Sequence, residues 1–546
     1  VQDPTGAVAT TVYDAAGQVA ASVDPTGIAT SYGYDSLGRL ETTTDAVGAV
    51  WTTVYDAAGQ MAASVDPLGR RTSYAYDLAG RMTATTDAAG GIATTVYDLS
   101  GRVVASVDPI GRRSTYTYDL AGRTETVQDP TGAVATTVYD AAGQVVATVD
   151  PLGRRSTYTY DPAGRVETMK DPTGAVASTV YDAAGQVTAS VDPLGRRTTY
   201  TYDGVGRTET VKDPTGAVAS TVYDAAGQVV AAVDPLGRRT SYAYDAAGRL
   251  QTVKDPTGAV GTTAYDLAGR TRTSVDPLGR TTSYAYDAAG RAVTTTDPTG
   301  AVASTVYDLA RQVVATVDPT GIRTSYGYDP AGRLLTTTDA LGAVSSTVYD
   351  PAGQATASVD PLGRRTSYTY DLAGRVETVK DPTGAVSSTV YDAAGQVTAS
   401  VDPLGRRSSY TYDLAGRVET MKDPTGAVAS TVYDAAGQVV ASVDPLARRT
   451  SYAYDGAGRL LTVKDPTGAV ASTVYDAAGQ VTASVDPINR RTSYTYDLAG
   501  RVETVKDPTG AVASTVYDAA GQVVASVDAL GRRTSFTYDG AGRVAT

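Results

Sequence analysis

The chain has no cysteine and no histidine. The first absence excludes a disulfide framework, a thiolate metal site and a cysteine nucleophile. The second excludes histidine acid–base relays, Ser-His-Asp triads and ordinary zinc sites. Large apolar anchors are scarce, with one tryptophan, one phenylalanine and four methionines in 546 residues. The longest purely apolar run, Val229-Val230-Ala231-Ala232-Val233, is far short of the roughly 20 residues that cross a bilayer as a helix, so no membrane span is expected in this segment. No secretory leader is visible, and a chain that starts in mid-repeat would not show one. Glycine (56) and proline (25) make up about 15% of the chain, below the roughly 25–30% of low-complexity sequences. A folded protein is expected.

Net positive charge is also missing. Acidic residues number 59 against 46 basic ones, a net charge of −13. The excess is spread evenly, so a long array of this kind is soluble and self-repelling. Nucleic-acid binding needs a net basic surface and is not expected. Recurrent pairs such as Arg70-Arg71 and Arg364-Arg365 read instead as solvated strand residues facing nearby carboxylates.

What is present is a period. The 546 residues divide into thirteen units of 42, each made of two related halves of 21, giving 26 half-repeats over 1–546. Length alone would suggest three or four domains, but the continuous period predicts one array with no separate domain. The Tyr-Asp dipeptide marks each half, at Tyr13-Asp14, Tyr34-Asp35, Tyr55-Asp56 and onward to Tyr538-Asp539. Asp-x-x-Gly occurs twice per half, as in Asp14…Gly17 and Asp24-Pro25-Thr26-Gly27, then Asp35…Gly38-Arg39. Seven of the acidic residues are Glu and 52 are Asp, and every Asp opens such a tetrad. All 25 prolines directly follow one of these aspartates. Glycine fills the fourth position at 49 of the 52 tetrads, the exceptions being Arg311, Ala447 and Asn489.

This pattern has a physical cause. An aspartate at the first turn position accepts a backbone N–H two residues on, proline pre-sets φ at the second, and glycine tolerates positive φ. A type I turn followed by a left-handed glycine is the expected hairpin connection. Asn489 suits that conformation, whereas Arg311 and Ala447 should be strained there. Between turns lie six- and seven-residue segments in alternation, rich in Val, Thr, Tyr and Ser, which suit a pleated surface. Along Gln18–Val23, residues Val19, Ala21 and Val23 share one face. Short strands joined by tight turns pair antiparallel, and no segment has helical period, so the chain reads as all-β. Trp51 occupies a position held elsewhere by Ala135, Gly261 or Ser345. A tight core would not accept that swap, so Val50 and Val54 are expected on the packed side. Tyr55 has the parity of Trp51, which suggests a partly open ladder of Tyr-Asp tyrosines. The other tyrosine (Tyr32, Tyr74, Tyr116) is replaced once, by Phe536, which suggests a packing role.

Tyr370-Asp371-Leu-Ala-Gly374-Arg375-Val376 and Tyr244-Asp245-Ala-Ala-Gly248-Arg249-Leu250 resemble the YD-repeat family, also called rearrangement-hotspot or Rhs repeats. The resemblance covers the full length. It implies a repetitive antiparallel sheet that spirals into a solenoid, tube or shell, as in bacterial polymorphic toxins, insecticidal toxin complexes and the animal teneurins. Two departures stand out. The Asp-Pro-x-Gly tetrads are never followed by Leu, as they are where such shells close, and the repeats are unusually uniform. Uniform repeats generate a helix of constant radius, which favours an open tube over a capsule. A spiralling sheet would also pair one edge with the preceding coil, relieving exposed edges.

The site residues expected from this reading are turn and ladder positions: Tyr13, Asp14, Gly17, Asp24, Pro25, Gly27, Tyr34, Asp35, Gly38, Arg39, Tyr55 and Asp56. No catalytic, cofactor or metal residue is expected. Calcium would need several oxygens at one point, but each aspartate is already explained by its turn. Glycosidase chemistry needs a carboxylate pair in a distinctive cleft, not 52 equivalent ones. The sequence therefore predicts a non-catalytic structural protein, a secreted or cell-surface β-fibre, tube or sheath segment. The alternatives are a slice of a shell around a toxin payload and a surface adhesin stalk. Expected partners are neighbouring repeats or further copies, with cell-surface glycans or an encapsulated toxin under the alternatives.

Overall fold

The computed structural model describes residues 2–3 and 6–546, and among them there is no helix. The chain forms 51 strands of one antiparallel sheet. Strand β1 spans Thr10–Tyr13, β2 Val19–Val23, β3 Ala29–Tyr34, β4 Leu40–Thr44 and β5 Val50–Tyr55. The alternation of five- and six-residue strands continues to a short β51, Arg533–Ser535.

Register differs between the two kinds of turn. Across the Tyr-Asp turn between β1 and β2, Val12 pairs with Ala21 but Tyr13 pairs with Val19, so one extra residue, Ala20, is accommodated as a bulge. Across the Asp-Pro turn between β2 and β3, Ala21, Ser22 and Val23 pair with Ser31, Thr30 and Ala29 without a shift. The bulge recurs at each described Tyr-Asp hairpin, for example Val180/Tyr181 and Val432/Tyr433. It increases local twist and re-aims the tyrosine beside it.

Burial is shallow. Among the described residues every buried apolar residue is an alanine, and eleven of these thirteen are the central residues of five-residue strands, such as Ala189, Ala231 and Ala441. The accessible surface of 29044 Å² compares with about 18,000 Å² for a compact monomer of this mass. Strands of one sheet whose buried apolar residues, among those described, are small alanines leave that much surface open. Burial also corrects one expectation. Val50 is 39% exposed and its counterparts Val176, Val344 and Val386 are 44% exposed, while Val54 is only half-buried. These valines are therefore not packed, and the residue buried on their face is the small one opposite, Ala63, which pairs with Val54. Trp51 pairs with Thr43 on the other face and is half-buried there.

Two compact units emerge. The first comprises Val1–Thr136, Ala264–Thr273 and Thr281–Arg406; the second comprises Thr137–Thr263, Ser274–Arg280 and Arg407–Thr546. Each holds two runs of the strip side by side, with the Asp-Pro turns of the earlier run against the Tyr-Asp turns of the later. In the first unit Arg70 Nη1 donates to Gln312 Oε1 at 2.6 Å and Arg112 to Gln354 at 2.9 Å. In the second, Arg196, Arg238 and Arg280 donate to Gln438, Gln480 and Gln522 at 2.7–2.8 Å. Each pair is 242 residues apart. The edges that meet are rows of turns joined by side chains, rather than unpaired strand edges.

Candidate functional site

The repeated turn is the element from which every candidate site is built. In the Tyr-Asp turn that follows Tyr13, the Asp14 carbonyl accepts the Gly17 N–H at 3.1 Å, and the Asp14 N–H donates to the Gln18 carbonyl at 2.8 Å. Asp14 Oδ1 accepts the N–H groups of Ala16 and Gln18 at 2.9 and 2.8 Å. The same carboxylate thus ties both arms of the turn, which is why aspartate opens each one. Gly17, Gly27 and Gly38 have φ of 80°, 86° and 79°, the left-handed conformation that a glycine adopts without a Cβ penalty. Asp56 repeats the arrangement with Gln60 N–H at 2.8 Å.

The Asp-Pro turn adds a hydroxyl. Asp24 Oδ1 accepts the Thr26 N–H at 2.8 Å, its Oγ–H at 2.7 Å and the Ile28 N–H at 2.9 Å, while Pro25 holds the intervening position. Burial pushes the Asp24 carboxyl upward. The Thr26 hydroxyl, the Ile28 and Thr26 N–H groups and the Arg270 charge outweigh it and hold the pKa below the ordinary 3.8. Asp35 carries a different set: the Arg39 N–H, opposed by desolvation, then the Arg39 guanidinium and the Leu37 N–H, hold it below 3.8. Arg39 closes on Asp35 Oδ2 with Nε at 2.7 Å and Nη2 at 2.6 Å.

These pairs generate the ladder. Arg39 stacks on the Tyr55 ring at 4.3 Å, and Tyr55 OH donates to the Leu40 carbonyl at 2.9 Å. Tyr34 OH reaches the Val19 carbonyl in the same way. The unit of Asp, Arg and next-half Tyr recurs, for instance in Arg375 over Tyr391 and Arg501 over Tyr517, both at 4.6 Å. Tyr13, on the first strand, is 61% exposed. The structure therefore brings Asp35, Arg39 and Tyr55 together, and places Asp14, Asp24 and Asp56 in separate turns. The second tyrosine does use its hydroxyl: Tyr32, Tyr74 and Tyr116 lie 3.2–3.3 Å from the hydroxyls of Ser22, Ser64 and Ser106. The arginine pairs divide their work. Arg70 is held by Asp66 and Gln312, whereas Arg71 reaches Ser73 Oγ.

The repeat is broken at one place in the first unit. Arg311, at φ 68° where a glycine is expected, sets its guanidinium 4.8 Å from the Trp51 ring centroid and 3.3 Å from Asp45 Oδ2. Asp45 is the one buried charged residue among the described residues, and its Oδ1 accepts the Val47 and Ala49 N–H groups at 3.1 and 3.0 Å. Trp51 thus fits its position because an arginine from the adjacent run covers it. Nearby lies a cleft of about 780 Å³ bordered by Arg70, Asp87, Asp308, Tyr326 and Asp329. Its carboxylates are engaged: Asp87 by the Ala89 and Gly91 N–H groups, Asp308 by Gln312 N–H and Asp329 by Arg333. Among the described residues, no three acidic side chains gather where they could hold a metal ion.

Sequence reasoning missed the glutamines that receive arginine from the adjacent run. The only signal for them was that the residue after the glycine in Tyr-Asp turns alternates between Gln and Arg, as at Gln18 and Arg39.

The RHS Repeat family matches this chain thirteen times in tandem, from residues 13–50 and 55–92 through 475–512 and 517–546. No curated protein matches it in sequence. Among solved structures, the crystal structure of TcdB2-TccC3-TEV is similar over 98% of this chain and 38% of its own, with 15% identity and a TM-score of 0.67. The Photorhabdus luminescens Tc holotoxin pore with a TccC3 variant is similar over 98% of this chain and 32% of its own, at 15% identity and a TM-score of 0.49. The chain spans well under half the length of both. At that identity the first likeness is one of fold.

Proposed function

The chain belongs to the RHS repeat family, and on that premise we propose that it is non-catalytic wall material of a secreted or cell-surface protein. The thirteen periods act as one continuous array, whose adjacent runs are joined turn to turn into a wall one sheet thick. The observation that carries this reading is the Arg–Gln contact between residues 242 apart, repeated in each unit. Such a contact joins the runs into a surface, at little cost in core volume.

Of the two forms such a wall can take, uniform repeats favour the open tube or filament. The fold likeness to TcdB2-TccC3-TEV over 98% of the chain favours a shell, which would enclose a payload carried elsewhere in the protein. The shell is the second reading. Electron microscopy of the purified protein tests the proposal: the expected particle has a wall about 10 Å thick around an enclosed or through-running space. A flat ribbon or a solid globule would overturn it. Filaments of constant diameter would select the tube, and finite hollow particles the shell.

A further inference from the structure

One residue of each turn, the one after its fourth position, alternates between the two halves of the 42-residue period. On the Tyr-Asp side it is glutamine and then arginine, as at Gln438 and Arg459, then Gln480 and Arg501. On the Asp-Pro side it is arginine and then a small or apolar residue, as at Arg196 and Ala217, then Arg238 and Ala259. These are the residues that meet between runs. Arg70, Arg112, Arg196, Arg238 and Arg280 each donate to a glutamine 242 residues on. The glutamine is held ready for the arginine. Gln438, Gln480 and Gln522 donate Nε2–H to the carbonyls of Gly458, Gly500 and Gly542 at 2.9 Å, which leaves Oε1 for the facing guanidinium.

Opposite the small residues the guanidinium comes from the other side. The turn that ends in Arg459 packs on Asp213-Pro214-Thr215: a Cβ added to Gly456 would stand 3.6 Å from the Pro214 carbonyl oxygen and 3.8 Å from Thr215 Cγ2. The Arg459 charge acts on Asp213 there. In the first unit Arg270 likewise acts on Asp24, where Ile28 holds the alternating position. At the same 242-residue spacing Gly91 stands opposite Arg333, Ala133 opposite Arg375 and Ala259 opposite Arg501. Within each unit, every pair at this spacing holds one arginine, never two and never none.

A slip of one half-repeat would destroy this match. Moved by 21 residues, Arg196 would face Arg459 and Arg238 would face Arg501, while Ala175 and Ala217 would face Gln438 and Gln480. Two guanidinium groups in one contact repel, and a contact with none leaves the glutamine oxygen without its donor. We propose that the alternating residue is the specificity determinant of the contact between runs. It admits one guanidinium per facing pair of turns, and so forbids the half-repeat slip that identical 21-residue units would allow. A slip of a whole 42-residue period keeps every pair and is left to the curvature of the sheet. Each row of turns thus recognises the other by its phase. The inference goes beyond the wall reading, since it holds for a tube and a shell alike.

Hydrogen exchange by mass spectrometry on the full chain reads one contact through peptides covering 229–241 and 476–485. Arg238→Ala removes the guanidinium, Gln480→Arg adds a second, and each should speed exchange there about threefold or more. Together they restore one guanidinium in the arrangement of Ala217 and Arg459, and exchange should return to within about twofold of the unaltered chain. A double variant that exchanges as fast as the product of the two single effects overturns the proposal. Register itself is read by Thr215→Cys with Gly456→Cys, in a chain that has no other cysteine. Their disulfide should form on mild oxidation. Adding Ala175→Arg, Arg196→Ala, Ala217→Arg, Arg238→Ala, Ala259→Arg and Arg280→Ala makes the slipped register the matched one. The disulfide should then be lost while the sheet signal in circular dichroism persists. A disulfide that forms as before in that chain overturns the proposal, and the exchange cycle decides alone if the chain loses its sheet.

Discussion

Ala447 and Arg311 occupy the same left-handed turn position, at φ 60° and 68°, and replacing each by glycine should have different outcomes. A non-glycine residue there costs about 1–2 kcal/mol, and glycine returns about 0.5–1 kcal/mol of this through the extra freedom of the unfolded chain. Ala447→Gly should therefore stabilise its hairpin by about 0.5–1 kcal/mol. Arg311→Gly gains the same relief but loses the stack on Trp51 and the ion pair to Asp45. The Arg311 side chain is 51% exposed, so solvent screening limits the ion pair to about 0.2–1 kcal/mol, and the stack contributes about 0.5–1 kcal/mol. The two sides nearly cancel, and the uncovered carboxylate of buried Asp45 tips the balance toward loss. In a repeat array stability is local, so hydrogen exchange by mass spectrometry is a better readout than a global melt. Peptides covering 439–454 should exchange about two- to fivefold more slowly in Ala447→Gly. Peptides covering 302–317 should be unchanged or faster in Arg311→Gly. Equal slowing in both variants would refute the claim that Arg311 holds the two runs together, and no slowing in Ala447→Gly would refute the strain argument.

Acid should unfold the protein in a defined window. Asp35 is held below 3.8 by the Arg39 N–H, against desolvation, and then by the Arg39 guanidinium; at Asp371 burial pushes upward but the Arg375 N–H and guanidinium outweigh it. With folded values below the unfolded one, this stability is fully present above about pH 4 and is lost as the pH falls through the folded values. Thermal melts should hold steady from about pH 7 to 5 and fall below about pH 4; a midpoint that does not move in acid would count against the turn carboxylates. Tyr391→Phe removes the bond from Tyr391 OH to the Val376 carbonyl and should cost about 0.5–1.5 kcal/mol locally, read as faster exchange of residues 376–391, while the Arg375 stack persists. A peptide of one 42-residue period should show no sheet signal by circular dichroism, because it lacks the neighbours that bury its alanines; a cooperative melt from that peptide would contradict the shallow-core account.

Much of this was legible in the sequence because it is local. Turn chemistry is confined to five consecutive residues, so Asp24-Pro25-Thr26-Gly27 can be read directly, and the positive φ at Arg311, Ala447 and Asn489 follows from their place in the tetrad. The bulge beside Tyr181 was not legible: its extra residue, Thr188, lies in the shorter interval between Asp182 and Asp192, so the 10/11 spacing does not mark it. The burial expected at Val50 and Val54 falls instead on alanines of their face such as Ala63. The argument from Trp51 assumed that a residue's room is set by its neighbouring strands, while the indole is covered by Arg311, 260 positions away in sequence.

By itself the sequence determined the hairpins, their antiparallel pairing and the salt-bridged Arg–Tyr ladder's raw material, since each depends on residues at most about two strands apart. Only the tertiary structure decided which turns meet across 242 residues, and that Arg311, Trp51 and Asp45 converge. Those outcomes depend on small rotations added over many hairpins. No single repeat contains that sum, so thirteen similar units can specify every turn and leave open which of them will touch.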